Sequence, residues 1–536
     1  MRKSLIVCIA ACVSCAPAGP VVLLQAIPEK VNFSVDSARV MADLEFISSK
    51  ELEGREAGTK GEVKAGQYIT SQLEKSGVKP YAFRETEGRE PGYLQEFQSI
   101  KVSVDPTAKM TLFDSTRRRQ KRLVYGDYFG IFHDQLVGCD FDAPIVFAGY
   151  GITAPEFKYD DYDGLDVRDK IVIALDGEPE SDDDSFFYGP IASSYSSALF
   201  YKRHRAKEMG ARAFIVMAYP NLNGQWSNTI DLFRSSRMFF GLETVAAGDT
   251  TLMPFYYAND AFFETILAKA PYSFSDLRAI AARKEKLPTF QIPDLSVNLD
   301  VGVTVSKTKA SNIVGWIEGI DPELKNEYVV IGAHYDHLGE TSKYDVFNGA
   351  DDDGSGTVAV MELGRWLATE HLNKRSVVLV LHSAEEKGLL GSEYFTDSET
   401  PRPFQMNQVV GMVNLDMVGR ERADSIHVIG SGRLSTELKQ LTETANADLG
   451  LFKFDYTFDA DDDPNQFYYR SDHYNYARLG IPVVFFYDGM TSDYHKTTDD
   501  FEKINYRKIE NTIRLVHELV LRISNLDHRL VVDKKQ

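Results

Sequence analysis

The feature that most constrains this 536-residue chain is an alternation of patterns that begins after about Leu295. Strand-like apolar runs at 328–332, 377–381, 409–415 and 483–487 are interleaved with helical patterns at 355–369, 436–447 and 506–523. Alternation of this kind predicts an α/β architecture, a doubly wound sheet covered by helices. The chain is too long for one hydrophobic core and implies at least two domains. With 43% hydrophobic and 12% aromatic residues it has the composition of a folded globular protein.

Upstream the pattern changes twice. Ala65, Tyr68, Ile69 and Leu73 recur at helical spacing before Gly77 stops the run. Between about Thr111 and Pro288, short β-like runs such as 143–148, 170–175 and 213–217 are separated by Gly, Pro and Asp turns. The segment Gly149-Tyr150-Gly151-Ile152, followed by Tyr159-Asp160-Asp161-Tyr162 and Lys170-Ile171-Val172, resembles the protease-associated domain inserted in many exported peptidases. The expected organisation is a signal at 1–15, the first part of a catalytic domain at 30–108, an inserted unit at 109–292 and the rest of the catalytic domain at 293–528.

Met1-Arg2-Lys3 followed by the apolar run 5–13 reads as an export signal. That run is too short for a permanent membrane span, which needs about 20 residues. Ser14-Cys15 resembles the lipidation site of bacterial lipoproteins, with Cys12 where Leu is usual. The expectation is a lipid-anchored protein facing the periplasm or cell exterior, with cleavage after Ala26 and a soluble secreted or periplasmic product as the alternative. Membrane contact is expected only through that anchor. Cys8, Cys12 and Cys15 fall in the signal and leave Cys139 as the ordinary thiol, so no internal disulfide is expected. A net charge of -20 argues against nucleic acid as a partner. No obligate protein partner is evident.

Ligands of open α/β sheets gather at the carboxyl ends of strands, and acids and histidines cluster there in this chain. His334 and Asp336 close one run, and Asp351-Asp352-Asp353 lead into a helix. Glu385-Glu386 follow the strand ending at His382, Asp416 closes a third run, and His495 lies a short loop beyond Tyr487. Singly, such residues are usually structural histidines or solvated turns. Together, His334, Asp351, Glu386, Asp416 and His495 supply the nitrogen and oxygen donors that suit zinc.

Gly332-Ala-His334-Tyr-Asp336-His-Leu-Gly339, Asn348-Gly-Ala-Asp351-Asp352-Asp-Gly-Ser-Gly356 and Ala384-Glu385-Glu386-Lys-Gly388 resemble one co-catalytic zinc family. It includes aminopeptidase Y, secreted leucine-type aminopeptidases and glutamate carboxypeptidase. The resemblance continues through Asn414-Leu-Asp416-Met, Arg470-Ser-Asp472-His473, Gly480-Ile-Pro482 and Asp493-Tyr494-His495. It implies a mixed sheet of the zinc exopeptidase type and two zinc ions. One zinc is expected on His334 and Asp416, the other on Glu386 and His495, with Asp351 bridging. It further implies that the Asp336 carboxylate accepts the second imidazole N–H of His334. Glu385 is expected to act as general base and acid on a zinc-bridging water, Tyr494 as oxyanion donor and Arg470 as a substrate contact. His337 and His473 receive no role, because the family does not use the matching positions as ligands. The implied activity is removal of N-terminal residues from peptides. The alternatives are a carboxypeptidase or dipeptidase of the same family, or a non-catalytic peptide-binding lipoprotein.

Overall fold

The computed structural model describes residues 34–534 apart from 82–91, 115, 117, 132–136, 182–185, 188–192, 235, 241–252, 342–343, 401 and 403. The expected signal at 1–15, Cys15 and the alternative cleavage point at Ala26 lie outside the described residues. No helix among the described residues is long and apolar enough to cross a membrane.

The larger sheet contains, in chain order, β1 (Lys79–Pro80), β2 (Leu94–Val104), β3 (Arg237–Phe239), β4 (Val303–Ile317), β5 (Tyr328–His334), β6 (Ser376–His382), β7 (Val409–Leu415), β8 (Ser425–Ile429), β9 (Lys453–Asp455) and β10 (Val483–Tyr487). Their order across the sheet is β3-β2-β4-β6-β5-β7-β10-β8-β9, with β1 beside β4. The central four, β6, β5, β7 and β10, run parallel, while β2 and β4 add antiparallel to one side. A parallel centre needs crossovers, and these place helices on the faces. The helices α1 (Ser37–Ile47), α2 (Lys60–Lys75), α3 (Gly356–Glu370), α4 (Thr436–Leu449) and α5 (Tyr506–Asn525) bury Leu44, Ile69, Val360, Leu441 and Leu519 against Ile331, Leu379, Val413 and Val484.

The alternate residues of the same strands, Val330, Val378, Val380, Met412 and Phe485, point into a second core with Phe395, Phe467 and Tyr476. Because side chains alternate across a strand, a strand buried on both faces must be apolar throughout, which accounts for the runs at 377–381 and 409–413. α2 buries Ala65, Ile69 and Leu73, and Gly77 at φ +78 follows its end.

A second sheet of eight strands has its own core, which contains Phe147, Val172, Phe214, Tyr256 and Leu299. It begins with the strand Lys109–Phe113 and ends in sequence with Thr289–Val301, whose 296–301 half pairs with residues 139–144. The pairing therefore continues past the expected boundary at 292, because one long strand carries the chain out of the second sheet before β4 starts. Asp161 organises the motif at 149–162. Its carboxylate accepts the N–H groups of Tyr150 and Ile152 at 3.0 and 3.1 Å and the Tyr159 hydroxyl at 2.7 Å. Gly149 sits at φ +53 with the Asp161 carboxylate where a Cβ would fall, 2.6 Å away. One strand from this part of the chain, β3, leaves the second sheet and pairs with β2 of the first.

Candidate metal centre

β5, β6, β7 and β10 end on one edge of the sheet, and the chain delivers its acids and histidines there. β5 ends at His334, β6 at His382 just before Glu385-Glu386, and β7 at Leu415 just before Asp416. The loop after β10 returns His495 to the same place. His334 Nδ1 lies 3.2 Å from the main-chain oxygen of Asp336. A carbonyl can only accept, so Nδ1 carries a proton, and Nε2 is the nitrogen that faces the cluster and offers a lone pair there in the neutral ring. The Asp336 carboxylate was expected in this role, but its nearer oxygen is 3.8 Å from His334 Nδ1, too far for a hydrogen bond. It accepts the Glu385 N–H at 3.1 Å instead, fixing the backbone of the glutamate pair.

The expectation for Asp351 is corrected. Its Oδ1 accepts the N–H of Gly419 at 2.8 Å and the Ser355 hydroxyl at 3.1 Å, and none of its contacts is to a histidine of the cluster. Asp352 occupies the shared position: Oδ1 is 3.4 Å from His334 Nε2 and Oδ2 is 3.3 Å from His495 Nε2. The physical reason is local backbone. Asp352 (φ -99, ψ 102) and Asp353 (φ -111, ψ 54) depart from helical geometry, so consecutive side chains diverge. Asp499 fixes the turn by accepting the N–H groups of both Asp351 and Asp352 at 3.0 and 3.1 Å. Asp353 clamps it from below, accepting from His334, Gly356 and Met417.

Asp416 Oδ1 is 3.5 Å from His334 Nε2, while its Oδ2 accepts the Ser471 hydroxyl at 2.7 Å. Glu386 Oε2 lies 3.2 Å from His495 Nε2, and its Oε1 lies 2.8 Å from Nδ1 of His337. Glu385 points into the same space, with Oε2 4.0 Å from His334 Nε2. Tyr494 stacks on His495 at 3.8 Å between ring centroids, and both line the cleft together with Phe467, Arg470, Phe485 and Tyr487. Arg470 sits over the Phe467 ring at 4.8 Å. The loop that carries Tyr494 and His495 is anchored through Asp493, which is paired with Arg420 and with Lys503. Asp352, His337, Ser471 and Asp499 were not assigned roles from sequence; each lies in or beside a quoted motif, but residue type alone does not reveal which way it points.

The electrostatics of the site call for positive charge. Asp336, Asp352, Asp353, Asp416, Glu385 and Glu386 are crowded in or beside the cleft with little exposure to water. Burial of Glu385, reinforced by Asp416, Glu386 and Asp472, holds its carboxyl well above the ordinary range. Burial alone would lower His495, yet Glu386 and Asp352 push it up to about 10. Among the described residues, Asp352 Oδ2 is buried and meets no hydrogen-bond partner of good geometry, although His495 Nε2 is 3.3 Å away. Buried charges of one sign are costly unless paired or bound to a metal. Among the described residues, His334, Asp352 and Asp416 form one group with donor atoms close enough to hold a metal ion and His337, Asp352 and Glu386 form a second, while His495 Nε2 reaches Asp352 and Glu386 at 3.3 and 3.2 Å from the cleft side. Imidazole nitrogens with carboxylate oxygens are the donors zinc prefers.

The sheet has a parallel centre, and a donor set of the kind that suits zinc lies at the ends of its strands. The chain has the fold of a solved aminopeptidase from Aneurinibacillus sp. strain AM-1, with a TM-score of 0.58 and 21% identity over 94% of this chain and 97% of that one. A solved zinc aminopeptidase from Bacillus subtilis matches at a TM-score of 0.50, with 18% identity over 92% and 95% of the two chains. Residues 312–520 match the family model described as Peptidase family M28. A probable leucine aminopeptidase of Arthroderma benhamiae is 27% identical over 230 residues, covering 40% of this chain and 59% of the relative. The chain thus spans less than two thirds of that relative's length.

Proposed function

We propose that the protein is a zinc-dependent aminopeptidase that carries two zinc ions, one on His334, Asp352 and Asp416, the other on Asp352, Glu386 and His495. The observation that carries this reading is the Asp352 carboxylate, whose two oxygens face different histidines at 3.4 and 3.3 Å. Those separations match the edge of a tetrahedron, about 3.3 Å when each donor is about 2.0–2.1 Å from a central zinc. When bound, the metal pair supplies Lewis acidity to the scissile carbonyl and lowers the pKa of water.

The side chains of the protein perform the rest of the chemistry. Glu385 takes the proton of the attacking water and returns it to the leaving amine, with its backbone held by Asp336. The Tyr494 hydroxyl donates to the oxyanion that develops on the substrate. Arg470 and the rings of Phe467 and Tyr487 form the wall against which the peptide lies. Removal of N-terminal residues is supported by the aminopeptidase names of the relatives. Export as a lipoprotein is supported by the basic start and the apolar run before Cys15. The motif around Asp161 supports reading the second sheet as a protease-associated unit.

The test is Glu385→Gln. The variant is expected to retain both zinc ions by elemental analysis and to lose about 10²–10⁴-fold in turnover of aminoacyl-anilides, the contribution of a positioned general base. Glu386→Gln is expected to lose metal as well. Near wild-type turnover in Glu385→Gln would remove the proposed mechanism.

A further inference from the structure

His337 follows His334 by one helical-turn's spacing in sequence but sits on an irregular loop, fully buried, with its ring turned toward the other half of the site. Nδ1 lies 2.8 Å from Glu386 Oε1. A carboxylate oxygen can only accept, so Nδ1 carries a proton; Nε2 is buried and has no hydrogen-bond partner among the described residues. The ring is held tightly. Gly349, at φ +55, brings its backbone so close that a Cβ there would meet His337 Cδ2 at 2.5 Å. The His337 main-chain N–H donates to the Arg55 carbonyl at 3.2 Å. The Arg55 guanidinium, itself buried, ties together the carbonyls of Ile47, Tyr335, Asn348 and Gly349. The imidazole is therefore aimed by packing and by a backbone network independent of the acids it faces.

Its geometry separates it from the three donors beside it. His495 Nε2 stands 3.3 Å from Asp352 Oδ2 and 3.2 Å from Glu386 Oε2, nearly equal edges around one point. His337 Nδ1 is 2.8 Å from Glu386 but 3.9 Å from Asp352, a hydrogen bond on one side and no contact of that kind on the other. Glu386 thus has one oxygen committed to His337 and the other turned to His495.

We infer that His337 is a positioning residue for this site: by donating Nδ1–H to Glu386 Oε1, it holds Oε2 toward His495 and slows loss of the metal bound there. The inference rests on the two-zinc reading above. A hydrogen-bond donor behind a ligating carboxylate fixes its rotamer and its mode of binding, and removing such partners typically costs about 10–100-fold in metal affinity. His337 needs no contact with substrate to act in this way.

The experiment follows zinc release from the loaded protein into excess chromophoric chelator, for wild type, His337→Ala and His337→Gln, with circular dichroism confirming that each is folded. The wild type is expected to release two zinc ions per chain in two phases. His337→Ala should accelerate one phase by about 10–100-fold and leave the other unchanged. His337→Gln, whose amide can still donate to Glu386, should restore part of the difference. Release from His337→Ala at wild-type rates in both phases overturns the inference, as does a His337→Gln protein as fast as His337→Ala. A His337→Ala protein that holds a single zinc even at saturating metal also overturns it, since the imidazole is then a ligand. Wild-type protein releasing one zinc per chain overturns the two-zinc reading and this inference with it, and is recognised because no substitution is needed to see it.

Discussion

Asp351 and Asp352 are neighbours of identical chemistry in opposite surroundings. Asp351 accepts from Gly419 and Ser355, whereas Asp352 faces His334 and His495. Asp352→Asn is therefore expected to lose zinc and activity together. Asp351→Asn should keep its zinc and cost stability instead, on the order of 1–3 kcal/mol from the disturbed buried hydrogen bonds. Elemental analysis and urea unfolding of the two variants check this, and zinc loss confined to Asp351→Asn would contradict it. The candidate site was legible in sequence as a set of residue types at strand ends, which brought His334, Glu385, Glu386, Asp416 and His495 to attention. Which of two adjacent aspartates turns inward depends on φ and ψ within the irregular turn at 350–355, and composition carries no record of that. The Asp336 interaction was misread for the same reason: its carbonyl, a group every residue has, meets His334 in place of its carboxylate. His337 stood in the quoted motif but gained a role only from the 2.8 Å approach to Glu386.

At the scale of elements, the loop after β6 is tied to a distant strand. Lys387, next to Glu386, donates to Glu56 Oε1 at 2.9 Å and to the main-chain oxygen of Ser236, the residue before β3. Lys101 of β2 pairs with the other Glu56 oxygen at 3.2 Å. Burial would raise the Glu56 carboxyl, but the two ammonium groups and the Ser236 hydroxyl outweigh it and carry the pKa down from 4.5 to about 2. The folded state then binds fewer protons than the unfolded state between these values. The stabilisation is present above about pH 4.5 and is lost as the pH falls toward about 2. Its size at neutral pH is on the order of 2–3 kcal/mol. Urea unfolding should show Glu56→Gln less stable than wild type at neutral pH, with the gap narrowing below about pH 4.5. A gap that stays constant to about pH 3 would contradict the assignment. Helices with a clear apolar stripe were legible, 355–369 against α3 at Gly356–Glu370 and 506–523 against α5 at Tyr506–Asn525. The pairing of β3 with β2 was not, because β3 is three residues long and its partner is far away in sequence.

At the scale of the whole molecule, the larger sheet packs a core on each face and the second sheet has its own, and the larger sheet gathers acids and histidines from four strand ends into a single cluster. The α/β class followed from periodicity, since a strand buried on both faces leaves an uninterrupted apolar run. The last strand of the second sheet in sequence, Thr289–Val301, crosses the expected boundary because its composition does not change where its partners do. The carboxylates of Asp336, Asp352, Asp353, Asp416, Glu385 and Glu386 crowd in or beside the cleft with little exposure to water. In the proposed site two metal ions share Asp352. The most direct measurement is anomalous scattering at the zinc edge from crystals of the metal-loaded protein. Two peaks are predicted, one flanked by His334, Asp352 and Asp416 and the other by Asp352, Glu386 and His495. A single peak in fully loaded crystals, or a pair of peaks bridged by Asp351, would contradict the account.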